Sequence, residues 1–123
     1  MQGTRFTVSV HIHGTLAANA SGEFRLPCDA ALVHVSLSNS AATDAILDLG
    51  TSADPDGILA DAAVGDSHTP NIFEATDWTG ALATAGSPYH MIKGTTIDWD
   101  LDFDGSSGTA AANFMMVLTF TEG

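Results

Sequence analysis

Asp98, Asp100, Asp102 and Asp104 stand at every second position near the C-terminal end of this chain, with Gly105 directly after them. Carboxylates in such a series can hold a hard cation, and Asp100-x-Asp102-x-Asp104-Gly105 repeats the first half of an EF-hand calcium loop. That loop takes a bidentate Glu at its twelfth position, where this chain has Ala111. A calcium loop must also curl. Here Ile97, Trp99, Leu101 and Phe103 alternate with the aspartates, a period of two that belongs to extended chain. The run is therefore a solvated strand face, or an edge kept from pairing by its charge. Asp54, Asp56 and Asp61, joined by Asp104 from another loop, form a looser set of oxygen ligands. Such a set can hold a hard cation such as calcium, but acidic turns are common without any ion, and no cofactor is expected.

His11 and His13 share one face of a predicted strand, and His34 lies on the polar face of another. Together they offer a zinc or iron site of the cupin-like kind, if the fold brings the third ligand close. The plainer reading is three half-exposed polar positions, or part of a subunit contact. Gly65-Asp66-Ser67-His68 shares three letters with the nucleophile segment of trypsin-like proteases. Those enzymes need two barrels and a separately placed His and Asp, and this chain has about half the required length. The segment reads as a turn in which Asp66 and Ser67 bond the local backbone. Neither a Gly-x-Ser-x-Gly elbow nor a Gly-rich phosphate loop is present. Trp78, Tyr89, Phe73 and Trp99 are the candidates for a sugar-binding platform. Trp99 falls on an apolar strand face and belongs to the core, whereas Trp78 and Tyr89 sit in an irregular segment that leaves exposure open to them, although burial under a long loop is commoner. No catalytic residue and no metal ligand is assigned, and the chain is not expected to be an enzyme.

The elements that must position these residues are strands. Phe6, Val8, Val10 and Ile12 alternate with Thr7, Ser9, His11 and His13, and a loop follows from Gly14 to Gly22. Phe24 and Leu26 predict a short strand ended by Pro27. Val33, Val35 and Leu37 predict a third, and Ala45, Leu47 and Leu49 a fourth, closed by Gly50. Asp54-Pro55-Asp56-Gly57 has the chemistry of a turn, since Pro fixes φ and Gly accepts positive φ. Residues 58–64 fit either one or two helical turns or a short strand, with the strand preferred, and further short strands are expected at Asn71–Glu74 and Ala81–Ala83 inside the irregular 65–94 segment. The clearest strands are 95–103 and the alternation of Phe114, Met116, Leu118 and Phe120. Seven or eight strands with turn signals between them make an all-β, single-domain antiparallel sandwich over residues 1–123. A jelly roll and an immunoglobulin-like Greek key are its two candidate wirings.

Composition excludes several function classes. The chain has 3 basic and 15 acidic residues, a net charge of −12. Arg5, Arg25 and Lys93 cannot form the basic cluster that neutralises several phosphates, so nucleic acid and anionic membranes are not expected partners. Cys28 is the single cysteine, which leaves no internal disulfide and no paired-cysteine metal site. The start lacks the apolar stretch of a signal peptide, and no run reaches the roughly 18 apolar residues of a membrane span. Folding in a reducing cytoplasm is the expectation.

A family resemblance rests on several stretches taken together. They are Phe24-Arg25-Leu26-Pro27-Cys28-Asp29, Val33-His34-Val35-Ser36, the run Asp44–Thr51 ending in Gly-Thr, and Asp54-Pro55-Asp56-Gly57-Ile58-Leu59. The closing Asp102-Phe103-Asp104-Gly105-Ser106-Ser107-Gly108-Thr109-Ala110 also fits. In this succession the chain resembles the small β-sandwich structural proteins of tailed phages, across roughly residues 5 to 121. The resemblance implies a capsid decoration or cement protein on the virion exterior, made in the host cytoplasm. It would clamp subunits of the major capsid protein, as a homotrimer. Tail and fibre modules resemble it almost as well, and a carbohydrate-binding sandwich assisted by calcium is a further alternative. No ligand motif accompanies the resemblance. Termini often order only on binding, so Met1, Gln2, Gly3, Thr4 and Arg5 are expected to act as a docking arm. Trp78 and Tyr89 mark the second expected contact region.

Overall fold

The computed structural model describes residues 4–123. Nine strands occur among them: β1 (Arg5–Thr15), β2 (Ala20–Arg25), β3 (Ala30–Ser38), β4 (Ile46–Thr51), β5 (Asp54–Ala63), β6 (Asn71–Glu74), β7 (Tyr89–Met91), β8 (Thr96–Asp102) and β9 (Ala112–Glu122). A single 3-10 turn, Ala75–Asp77, follows β6. Exposed and half-buried residues alternate without a break along β1. Every second residue of β8 from Ile97 to Leu101 is buried. That is the signature of sheets wet on one face only.

The strands form two antiparallel sheets. One runs β1-β9-β3-β6, with β7 also paired to β3, and the other runs β2-β8-β4-β5. Pairing nests along the chain: β1 with β9, β2 with β8, β3 with β6 and β7, and β4 with β5. The first half of the chain is thus folded back along the second. Leu32, Val35, Leu37, Phe114, Met116, Leu118 and Phe120 from the first sheet bury against Leu47, Leu49, Leu59, Ile97, Trp99 and Leu101 from the second. Trp99 and Phe114 stack across the gap with ring centroids 6.3 Å apart.

The structure departs from the sequence expectation in four places. Asp54-Pro55-Asp56-Gly57 opens β5 and is not the turn, which falls at Ser52–Ala53. Thr51 pairs with Asp54, and β5 is an edge strand, where a proline costs no ladder bond. Ala81–Ala83 is not a strand, because the Leu82 and Ala83 amides both donate to the Gly57 carbonyl and fold the segment onto β5. Tyr89–Met91 does pair, against Ala30–Leu32, adding a strand too short for periodicity to reveal. Finally, β2 begins at Ala20 and includes Gly22. A Cβ on Gly22 would lie 2.8 Å from Trp99 Nε1, so the indole fills the place of a side chain there.

Candidate interaction surfaces

The wet face of the β2-β8-β4-β5 sheet concentrates carboxylates. Glu23 on β2 stands directly opposite Asp98 on β8, and Asp48 on β4 directly opposite Asp100. Like charges in register oppose the pairing by up to about 1 kcal/mol each. Asp48 is partly relieved, since its Oδ1 accepts the Asp61 amide at 2.8 Å where that residue turns through φ 54. Asp98 is not: its Oδ1 is buried and has no hydrogen-bond partner among the described residues. It stands beside Gly50, where the chain from Asp54 to Gly57 lies across the sheet. Ser21, Glu23, Pro55, Asp98 and Asp100 share a cleft of about 410 Å³ there. Replacing Asp98 removes both a like-charge pair and an orphaned oxygen. Asp98→Val is expected to stabilise the fold by about 1 kcal/mol, or roughly 4 °C in the midpoint of thermal melting. A lowered midpoint would show that this carboxylate has a favourable partner.

At the near end of β5, a side-chain hydrogen bond with Asp56 raises the pKa of Asp54 above its usual 3.8. Desolvation and the charge of Asp56 act in the same direction. A raised carboxylate pKa means that the folded chain takes up a proton more readily than the unfolded chain. Its contribution favours the fold below the usual aspartate pKa and is lost as pH rises through the raised value.

The ligand sets weighed from the sequence are not brought together. Asp54 and Asp56 begin β5 while Asp61 lies near its far end, roughly 20 Å along an extended chain. Asp104 follows β8 at φ 50, its amide bonded to Asp102 Oδ1 at 3.0 Å and its carboxylate accepting the Ser107 hydroxyl. That is a local turn closing the β8–β9 connection. His11 and His13 are neighbours, with ring centroids 6.3 Å apart. His34 pairs across β9 at the level of Thr7, two strands away from β1. Among the described residues no three His, Cys, Asp or Glu side chains converge as metal ligands would.

Gly65–His68 is a turn, as its residue types imply. Ser67 and His68 take positive φ and donate to the Ala41 and Asn39 carbonyls, and Asp66 Oδ1 accepts the Thr43 amide at 3.1 Å. The β5–β6 connection is thereby latched to the β3–β4 connection, beside a cleft of about 590 Å³ lined by Thr43, Asp44, Ile46, Asp66 and Asn71.

Trp78 takes the commoner of its two outcomes, burial, and so offers no exposed ring for contact. Its side chain is 4% exposed, and its Nε1 donates to the Ser87 carbonyl at 2.9 Å. The indole pins the 75–88 segment to the body. Of the four platform candidates, Trp78 and Trp99 are buried in the core, and Tyr89 and Phe73 are half-buried in β7 and β6. Met1, Gln2 and Gly3 lie outside the described residues. Thr4 and Arg5 are exposed yet already joined to the sheet: the Glu122 amide donates to the Thr4 carbonyl at 2.9 Å, and Arg5 stands opposite Thr121.

The fold is similar to that of a chain in a phage capsid structure. A chain of the cyanophage Pam1 capsid asymmetric unit superposes with a TM-score of 0.56, covering 99% of this chain and 87% of that one at 16% identity. A chain of infectious bursal disease virus, Gx strain, overlaps with a TM-score of 0.27 and 9% identity, covering 98% of this chain and 37% of that one, too distant to argue from. No family model matches the sequence, and no curated protein matches it.

Proposed function

We propose that this chain is a non-enzymatic structural protein of a virion, a capsid decoration or cement protein that binds major capsid protein on the shell exterior and associates with itself. The observation that carries the reading is the whole-length fold likeness to a phage capsid chain, met by a sequence that resembles phage sandwich proteins. The nested strand pairing supports the jelly-roll wiring over the immunoglobulin-like one, whose two sheets group the strands differently. The surface suits an exterior position. Its acidic sheet face has no use against packaged nucleic acid but keeps free copies soluble.

On this reading the function is mechanical: buried interface added where shell subunits meet. Purified chain should bind particles that lack it, at a saturating copy number fixed by the shell symmetry. Removing residues 1–4 should leave the thermal midpoint of the isolated protein within a few degrees and reduce occupancy on particles. Full occupancy by the truncated chain would eliminate the docking arm, and no binding by the intact chain would eliminate the decoration role.

A further inference from the structure

Among the described residues the two sheets end in four edges, and three carry the devices that stop strand addition. β6 and β7 are only four and three residues long. β5 contains Pro55, two breaks in its register with β4, and Asp61 in the left-handed region. β2 has six residues and presents Glu23. The fourth edge, β1, has none of these from Arg5 to Ile12; its one register shift and its left-handed residue, Gly14 at φ 85, lie beyond that stretch. It is eleven residues long, holds no proline or carboxylate, and keeps unbroken register with β9 from Arg5 to Ile12.

The free backbone groups on that edge can be identified. The Glu122 amide bonds the Thr4 carbonyl just ahead of the Arg5–Thr121 pair. Bonded pairs alternate in an antiparallel ladder. Phe6, Val8, Val10 and Ile12 therefore bond to β9, while the N–H and C=O of Arg5, Thr7, Ser9 and His11 point out along the edge.

We propose that β1 pairs antiparallel with β1 of a second copy about a two-fold axis at Ser9, joining two five-stranded sheets into one. Three observations favour a copy of this chain as the occupant. No aspartate or glutamate occurs before Glu23 in a chain of net charge −12, so two copies repel least along this strip. The strand is also self-complementary: the register centred on Ser9 sets Thr7 against His11 and Arg5 against His13, and it engages the outward backbone groups of both chains. Lastly, Phe6, Val8, Val10 and Ile12 are only partly buried against the core. The same register places Val8 opposite Val10 and Phe6 opposite Ile12, covering the apolar flank that one copy leaves open. Such a joint is isologous and closes at two copies, a dimer where the family resemblance pointed to a homotrimer. It stands independently of the virion role, because it is tested in solution without particles.

Sedimentation equilibrium should give twice the 12.7 kDa chain mass at micromolar concentration. Ser9→Pro deletes an outward N–H without touching the β9 ladder and should weaken the dimer roughly tenfold or more while circular dichroism stays unchanged. A monomeric or trimeric parent, or a folded Ser9→Pro protein that dimerises equally well, overturns the proposal. Should Ser9→Pro fail to fold, hydrogen exchange of the parent decides. The Thr7, Ser9 and His11 amides should be protected in the dimer and exchange freely on dilution, and equal fast exchange at both concentrations overturns the joint.

Discussion

Gly50→Ala is expected to destabilise the protein by about 3 kcal/mol, the upper range for overpacking, and to lower its melting midpoint by roughly 10 °C. Leu47 and Leu49 enter the core, so Gly50 faces the other side of its strand, where the start of β5 crosses it. A Cβ there would lie 2.1 Å from the Asp54 carbonyl oxygen and 2.6 Å from the Gly57 nitrogen. Both atoms are backbone, so no side-chain rotation relieves the clash and β5 must lift. The comparison is Gly108→Ala, whose nearest neighbour would be 3.8 Å away and whose effect should be within about 0.5 kcal/mol. If the two variants melted alike, β5 would not cover Gly50.

Phe114→Ala is expected to cost about 3–5 kcal/mol in urea-induced unfolding. Phe114 is fully buried, pairs with Ile12 on β1, and stacks on Trp99 of the opposite sheet. Truncation leaves a void that ordered strands on both sides cannot close, and it removes the ring that bridges the layers. Tryptophan emission should shift with the transition, since Trp99 loses its main aromatic neighbour. A cost below about 1.5 kcal/mol would mean that the layers are not held together there.

How much of this was legible in the sequence depends on where the deciding partner lies. β1, β8 and β9 announce themselves because each is long, amphipathic and wet on one side, so alternation alone identifies them. Gly22 gave no sign of being in a strand, because what excludes a side chain there is Trp99, far along the chain. Asp54–Gly57 carries turn chemistry in its own residues, and pairing with β4 overrides it. The burial of Trp78 likewise depends on the Ser87 carbonyl that its nitrogen finds. The acidic alternation was visible, but not that Asp98 meets Glu23 and Asp100 meets Asp48, since cross-strand register is set by the fold. Which strand ends a sheet is equally non-local. The one trace of it was an N-terminal stretch free of carboxylates in an otherwise acidic protein.

The most direct test of a virion role is an electron cryomicroscopy reconstruction of the particle on which the chain is found. The expected result is ordered density for the two-sheet body on the outside of the shell, touching major capsid protein at symmetry-fixed positions. Density for the body inside the shell, or on the tail with no contact to major capsid protein, would contradict it.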